Sequence, residues 1–212
     1  MSVFLSIDLG AGSGRVIAGI YDHQKLSLEE IHRFDNPGTD LPGGSFWNIL
    51  GLFRDIQTGL KLAADRFGTK IVSMAVDTWG CDHAFLDEGG RLLGLPHQYR
   101  DPRHEGVANR MHDLMSEEDI YRHTGITTSF YNSSLHLLAA KMADSPALNH
   151  ASTLLFVPDL LSYWLSGRKA VERTIASTSQ LLNPKTRDWA WEVIDALGLP
   201  RSIFGELVEP GT

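Results

Sequence analysis

Along the first third of the chain, the spacing of apolar positions changes from β-type runs to a helical period and back. Positions 3–8 form a short apolar run rich in β-formers that stops at Asp8 and a string of glycines. Positions 15–21 (RVIAGIY) predict a second strand, and Asp22-His23-Gln24-Lys25 a turn after it. Leu26, Leu28, Glu30, His32 and Phe34 then recur at every second position, as on one face of a third strand. Together these predict a three-stranded meander. Positions 36–45 hold two prolines and three glycines and read as a loop. Trp47, Ile49, Leu52, Phe53, Ile56, Leu60, Ala63 and Phe67 follow at steps of three and four, the period of an amphipathic helix, with Gly68 as its stop.

Beyond that helix, positions 71–76 (IVSMAV) read as a buried strand ending at Asp77, and 84–95 as a hairpin turning at Glu88-Gly89-Gly90. The remainder is mostly helical: a start at Ser116 with acids in its first turn, a helix over 132–143, and another over 159–166 closed by Gly167. The expectation is one α/β domain over 1–212 in which about 104–200 forms a helical insertion or outer layer. The last four residues, Glu209 to Thr212, resemble a linker leading to another domain.

Composition narrows the partners. The net charge of the 212-residue chain is −7, and no run of five basic residues occurs, which argues against nucleic acid or an anionic membrane as partner. A single cysteine, Cys81, excludes an internal disulfide and points to a reducing compartment. The N-terminus lacks the basic and apolar regions of a signal peptide, and no window reaches the roughly 18 apolar residues of a membrane span. The expectation is a cytoplasmic protein.

The strongest chemical signal is Asp8-Leu9-Gly10-Ala11-Gly12-Ser13-Gly14-Arg15. Glycines between two strands let backbone N–H groups approach phosphate oxygens with no Cβ in the way. A Walker A loop is excluded because no Gly-Lys-Ser/Thr follows. A Rossmann fingerprint would need a glycine where Arg15 stands, and a helix where a strand is expected. The phosphate loop of the actin-like ATPases fits better: an acid ending the first strand, small residues, then a second strand. There Asp8 would hold Mg²⁺ through water, and Ser13 with its neighbouring N–H groups would face the phosphates. A plain β-hairpin whose glycines serve only the turn is the alternative.

A second constellation, Asp77-Thr78-Trp79-Gly80-Cys81-Asp82, follows a predicted strand, where α/β sheets place ligand residues. An aromatic ring, carboxylates, a hydroxyl and a glycine suit a polyol. Arg100 and Asp101 stand side by side shortly after, and both they and Trp79 also read as structural. Cys81 reads as a small buried hydrophobe. The nine histidines lack metal-ligand spacing: His104-Glu105 opens like H-E-x-x-H, but Ala108 occupies the second histidine's place.

DLGAGSGR at 8–15, IHRF at 31–34, GGSFWN at 43–48, DTWGCD at 77–82, GLPHQYRD at 94–101 and PDLLSYWLSG at 158–167 together resemble the FGGY carbohydrate kinase family, and within it the L-rhamnulose kinase branch. The resemblance spans nearly the whole chain, with DTWG its discriminating piece. It implies an actin-like (ribonuclease H-like) ATPase domain. It also implies ATP- and Mg²⁺-dependent phosphorylation of L-rhamnulose at the C1 hydroxyl. Carried over by position, Gly10, Ala11, Gly12, Ser13, Gly14 and Arg15 would contact ATP, and Gly80 the sugar. Thr78, Trp79, Asp82, Arg100 and Asp101 are further candidates for the sugar site. No residue here matches the family's catalytic aspartate, which the resemblance places in a second, C-terminal domain together with most of the adenine pocket. The chain is therefore expected to be the N-terminal half of such a kinase, inactive alone. The alternatives are another sugar kinase of the family, for L-fuculose or a related ketose, and a non-catalytic actin-like binding module.

Overall fold

The computed structural model describes residues 1–211, which separate into two units: Met1–Thr39 with Trp47–Trp79, and Asp40–Phe46 with the chain from Gly80 onward. In the first unit, β1 (Ser2–Leu9), β2 (Ser13–Tyr21) and β3 (Leu26–Asp35) form the expected meander. β4 (Gly38–Leu41) and β5 (Gly44–Trp47) follow as a short hairpin, most of which, Asp40–Phe46, belongs to the second unit; helix α1 (Ile49–Phe67) and β6 (Ile71–Thr78) belong to the first. The sheet order is β3-β2-β1-β6, with β6 parallel to β1 and the other neighbours antiparallel.

Alternation decides what each strand buries. Val3, Leu5, Ile7 and Leu9 point inward from β1, while Phe4 and Ser6 face outward. Val3, Leu5, Ala18 and Ala63 form the centre of an apolar cluster completed by Ile20, Ile31, Leu60, Phe67 and Ile71. Helix α1 starts at Asn48, whose side chain accepts the Gly51 N–H at 3.1 Å, and ends at Gly68. Gly59 lets α1 approach the sheet, since a Cβ there would fall 2.4 Å from Val16 Cγ2.

Four expectations change. The five alternating positions of β3 do not share a face: His32 pairs with Val16 but Glu30 with Ile17, so Ile31 is a bulged residue. The bulge puts Leu26, Leu28 and Glu30 on the outer face and His32 and Phe34 on the inner one. The 36–45 segment is no simple loop, because its Pro42-Gly43 step closes the β4–β5 hairpin. Strand β6 is exposed over most of its length rather than buried, as it lies at the sheet edge. Finally, the strand after Cys81 pairs chiefly with a distant segment. β7 (His83–Leu86) runs antiparallel to β8 (Thr153–Phe156), while the expected hairpin is short: a Leu86–Leu92 bridge with Asp87 N–H donating to Arg91 O at 2.9 Å and Leu93 N–H to Phe85 O at 2.8 Å.

Before β8 the second unit carries α2 (Val107–Leu114), α3 (Glu117–Thr124), α4 (Ser133–Met142) and α5 (Pro146–Asn149). After it come α6 (Val157–Ser166), β9 (Val171–Glu172) and α7 (Arg173–Ala176), then short strands, turns and one further helix. The Ser116 hydroxyl caps α3 by accepting the Asp119 N–H at 3.1 Å, and Gly125 closes it with φ 72°. Helix α4 is buried on nearly every side, polar residues included. Among the described residues no helix is long and apolar enough to cross a membrane.

Asp159, in the first turn of α6, is buried; one carboxyl oxygen accepts the Glu172 N–H at 3.0 Å and the other has no partner. Burial pushes its carboxyl up to about 7. A folded-state value raised above the unfolded 3.8 contributes stability that is complete below about pH 4 and lost as pH rises through 7. The melting temperature should therefore fall between pH 5 and 8, and Asp159→Asn, which mimics the neutral acid, should flatten that fall. An equal fall in the variant would show that Asp159 is not its source.

Candidate functional site

In the first unit the glycine-rich segment is the turn between two antiparallel strands. Asp8 lies opposite Arg15 and Leu9 opposite Gly14, leaving 10–12 as the connection, with Gly10 N–H donating to Ser13 O at 2.8 Å. None of its three glycines uses the left-handed region. What they supply is space, and in different ways. A Cβ on Gly12 would meet nothing within 4 Å, so its backbone is open to a ligand. A Cβ on Gly14 would fall 2.4 Å from the Phe34 ring and 2.7 Å from Leu9, so packing requires that glycine.

Asn36 ties the turn down from the end of β3. Its side-chain amide donates to Gly10 O at 2.8 Å and its backbone N–H to Gly12 O at 3.1 Å. The side-chain oxygen, Oδ1, is buried without a partner.

Asp8 accepts from Arg15, with the guanidinium 2.7 Å away and both groups partly exposed. In the parallel ladder Asp8 also pairs in register with Asp77, so two carboxylates share one face at the C-terminal ends of β1 and β6. Arg15 balances part of that charge. Hard oxygen donors of this kind suit Mg²⁺, which keeps several waters and takes one or two carboxylates. Among the described residues no group of three or more His, Cys, Asp or Glu could hold a metal ion.

Thr78 donates its hydroxyl to Trp79 O at 2.7 Å. The Trp79 ring lies against Trp47, centroids 4.1 Å apart and tilted by 37°. Trp47 is completely buried, so the second aromatic is anchored on the first unit's core.

In the second unit, Gly80, Cys81 and Asp82 make a tight turn in which Asp82 N–H donates to Gly80 O at 3.0 Å. Asp82 is buried, and its charge acts on Arg103. The neighbouring Arg100 and Asp101 turn to different partners. Arg100 lies over the Tyr99 ring at 4.7 Å, while Asp101 is buried and accepts the N–H groups of Ser45 at 2.6 Å and Arg103 at 2.9 Å. Burial raises the Asp101 carboxyl, but those hydrogen bonds and nearby His97 outweigh it and hold the group below its usual range. Gly44, at φ 131°, is the counterpart of this clamp, since a Cβ would sit 2.3 Å from Asp101 Oδ2.

Arg103 and His136 were not singled out from the sequence. Arg103 Nε–H donates to His136 Nδ1 at 3.3 Å. Burial pushes Arg103 down to about 10 and, with the Arg103 charge adding to it, His136 down to about 4. Asn36 was also missed, and Asp77, read from the sequence as a carboxylate of the second constellation, instead pairs in register with Asp8. Burial of Cys81 raises its thiol to about 11. A thiol-specific disulfide reagent at pH 8 should leave Cys81 unlabelled in the native protein and label it on unfolding. Rapid native labelling would contradict that burial.

The model for the N-terminal domain of the FGGY family of carbohydrate kinases matches residues 3–212. The chain belongs to this family. Relatives at high similarity are a rhamnulokinase from Bacteroides thetaiotaomicron, 42% identical over 208 residues, and one from Pectobacterium atrosepticum, 40% identical over 209. Each alignment covers 98% of this FGGY chain but only 43% and 42% of the relative, so the chain spans less than half of the proteins it matches. Among solved structures, a ligand-bound xylulose kinase from Lactobacillus acidophilus superposes with a TM-score of 0.87 at 16% identity. A gluconate kinase from the same organism superposes with a TM-score of 0.86 at 18% identity. Both cover 100% of this chain and 43% of theirs, and they establish the actin-like ATPase fold of the FGGY kinases.

Proposed function

We propose that this FGGY domain is the N-terminal half of an L-rhamnulose kinase, which transfers the γ-phosphoryl group of ATP to the C1 hydroxyl of the sugar. The observation that carries the reading is the β1–β2 turn. It joins an open glycine backbone to an acid at the strand end, and it lies in a chain about 40% identical along its length to rhamnulokinases.

In this reading the N–H groups of 10–13 and the Ser13 hydroxyl hold the phosphates, and Arg15 balances charge beside them. Asp8, with Asp77 beside it, positions Mg²⁺ through water. When bound, Mg²⁺ neutralises charge developing on the phosphoryl oxygens. Gly80 offers its backbone to the sugar, with Trp79 covering C–H faces. Gly14, Asp82 and Asp101 act as framework. Arg100 and Thr78 are candidates for a sugar hydroxyl. The general base and most of the adenine pocket come from a C-terminal domain of the same polypeptide. The single buried thiol fits a cytoplasmic setting.

Phosphoryl transfer needs donor and acceptor held in line, so half of the site leaves turnover near background. The test is ATP-coupled turnover of the full-length protein on L-rhamnulose, L-fuculose, L-ribulose, xylulose and glycerol. The reading predicts the largest kcat/KM on L-rhamnulose, with phosphate on C1. A higher kcat/KM on another sugar would reassign the substrate.

A further inference from the structure

We propose that Thr178 and Ser133 are positioning residues that lock the Gly80–Cys81–Asp82 turn in the one backbone conformation able to receive a polyhydroxylated substrate. The inference rests on the reading that the Gly80 backbone contacts the sugar.

Cys81 has φ 74°, in the left-handed region that favours glycine, and the Asp82 N–H to Gly80 O bond closes a three-residue turn around it. A γ-turn of this hand is rare and strained for a residue carrying a Cβ. Such strain persists only where the surroundings over-determine it.

Here they do so at every polar group of Cys81. Its N–H donates to Thr178 Oγ1 at 3.0 Å, its thiol to Thr178 O at 3.4 Å, and its carbonyl accepts the Ser133 hydroxyl. The Thr178 hydroxyl donates onward to Ile175 O at 2.8 Å, so the direction of its hydrogen is fixed and its lone pair faces Cys81. A Cβ on Gly80 would lie 3.1 Å from both Oγ1 and Cγ2 of Thr178, so the same side chain that holds Cys81 also presses on the glycine before it.

The clamp is itself braced. Ser134, next to Ser133 in α4, donates to Gln180 Oε1 at 2.6 Å, and Gln180 donates to Ile126 O and Thr128 Oγ1, each at 3.1 Å. Gln180 too adopts a positive φ, 64°. Two stretches far from the turn in sequence, 126–134 and 175–180, thus converge on it. A turn needed only to change chain direction would use glycine at 81 and need no such support. Holding a strained backbone in advance removes the ordering cost that a substrate would otherwise meet.

The experiment uses the full-length protein. Thr178→Val keeps shape but removes the acceptor and donor; it should raise KM for the sugar about tenfold, the loss of one buried hydrogen bond with its partner left unpaired. KM for ATP should stay within twofold. Thr178→Ser should restore the sugar KM. In the double variant Cys81→Gly with Thr178→Val, glycine accepts the positive φ unaided and should recover part of the loss. Amide exchange gives a substrate-free readout: Thr178→Val should speed exchange of the Cys81 N–H at least tenfold. Unchanged exchange would overturn the clamp. Faster exchange with an unchanged sugar KM, or with sugar and ATP KM rising together, would overturn its role in positioning substrate. Wild-type inactivity on every sugar tested would overturn the functional reading, and with it the positioning role, whereas the exchange result would still decide whether the clamp exists.

Discussion

Replacing Asp8 with asparagine in the full-length protein is expected to lower kcat by about a hundredfold or more while leaving the fold intact. The size follows from the proposed role of Asp8: without its carboxylate the Mg²⁺ that would offset negative charge developing on the phosphoryl oxygens is held less well. Asp8 is partly exposed at a strand end, its Arg15 partner is equally accessible, and a solvent-facing ion pair contributes little to stability. The melting temperature should therefore move by only a few degrees. Raising the Mg²⁺ concentration should rescue part of the activity, because water and Asp77 remain to hold the ion. A variant with wild-type kcat would remove Asp8 from the metal site. A variant that unfolds would instead make Asp8 part of the framework.

The second large effect concerns stability. Trp47 is completely buried and lies face to face with Trp79 at a 37° tilt. Truncating a buried tryptophan to alanine costs about 3–5 kcal/mol. Against a typical domain stability of about 5–15 kcal/mol, that is a large fraction. Trp47→Ala should therefore shift the denaturant midpoint strongly, and Trp47→Phe, which keeps an aromatic partner, much less. A double-mutant cycle with Trp79→Ala should return a coupling of about 0.5–1.5 kcal/mol for the ring pair. Additive single effects would mean that Trp79 is not anchored on Trp47. Its presentation after β6 would then need another cause.

The elements that carry the candidate site were legible where periodicity is local. The β1–β2 hairpin, the length of α1, its Gly68 stop and the Ser116 cap all follow from spacing over a dozen residues. Legibility failed where a partner lies far along the chain. The bulge at Ile31 reverses half of β3, and no residue near it announces the change, because the cause is its register against β2. β6 reads as buried because its side chains are apolar, yet its place at the edge of the sheet decides its exposure.

The site shows the same division. Three glycines read alike in sequence, but only the fold reveals that Gly12 is open and Gly14 is required by Phe34. Asp101 reads as either a ligand or a structural residue beside Arg100, and only the fold shows it accepting the N–H of Ser45, fifty-six positions away. Thr178 stands 97 positions from Cys81, and nothing in its neighbourhood marks it. Chemistry written within one turn of chain is readable from residues, and chemistry assembled across the fold is not.

Amide hydrogen exchange of the full-length protein, with and without Mg·ATP, bears most directly on the nucleotide reading of the glycine turn. Protection on binding should concentrate at Gly10 to Ser13 and vanish without the metal or in Asp8→Asn. Saturating Mg·ATP that leaves those amides unchanged while protecting others would contradict it.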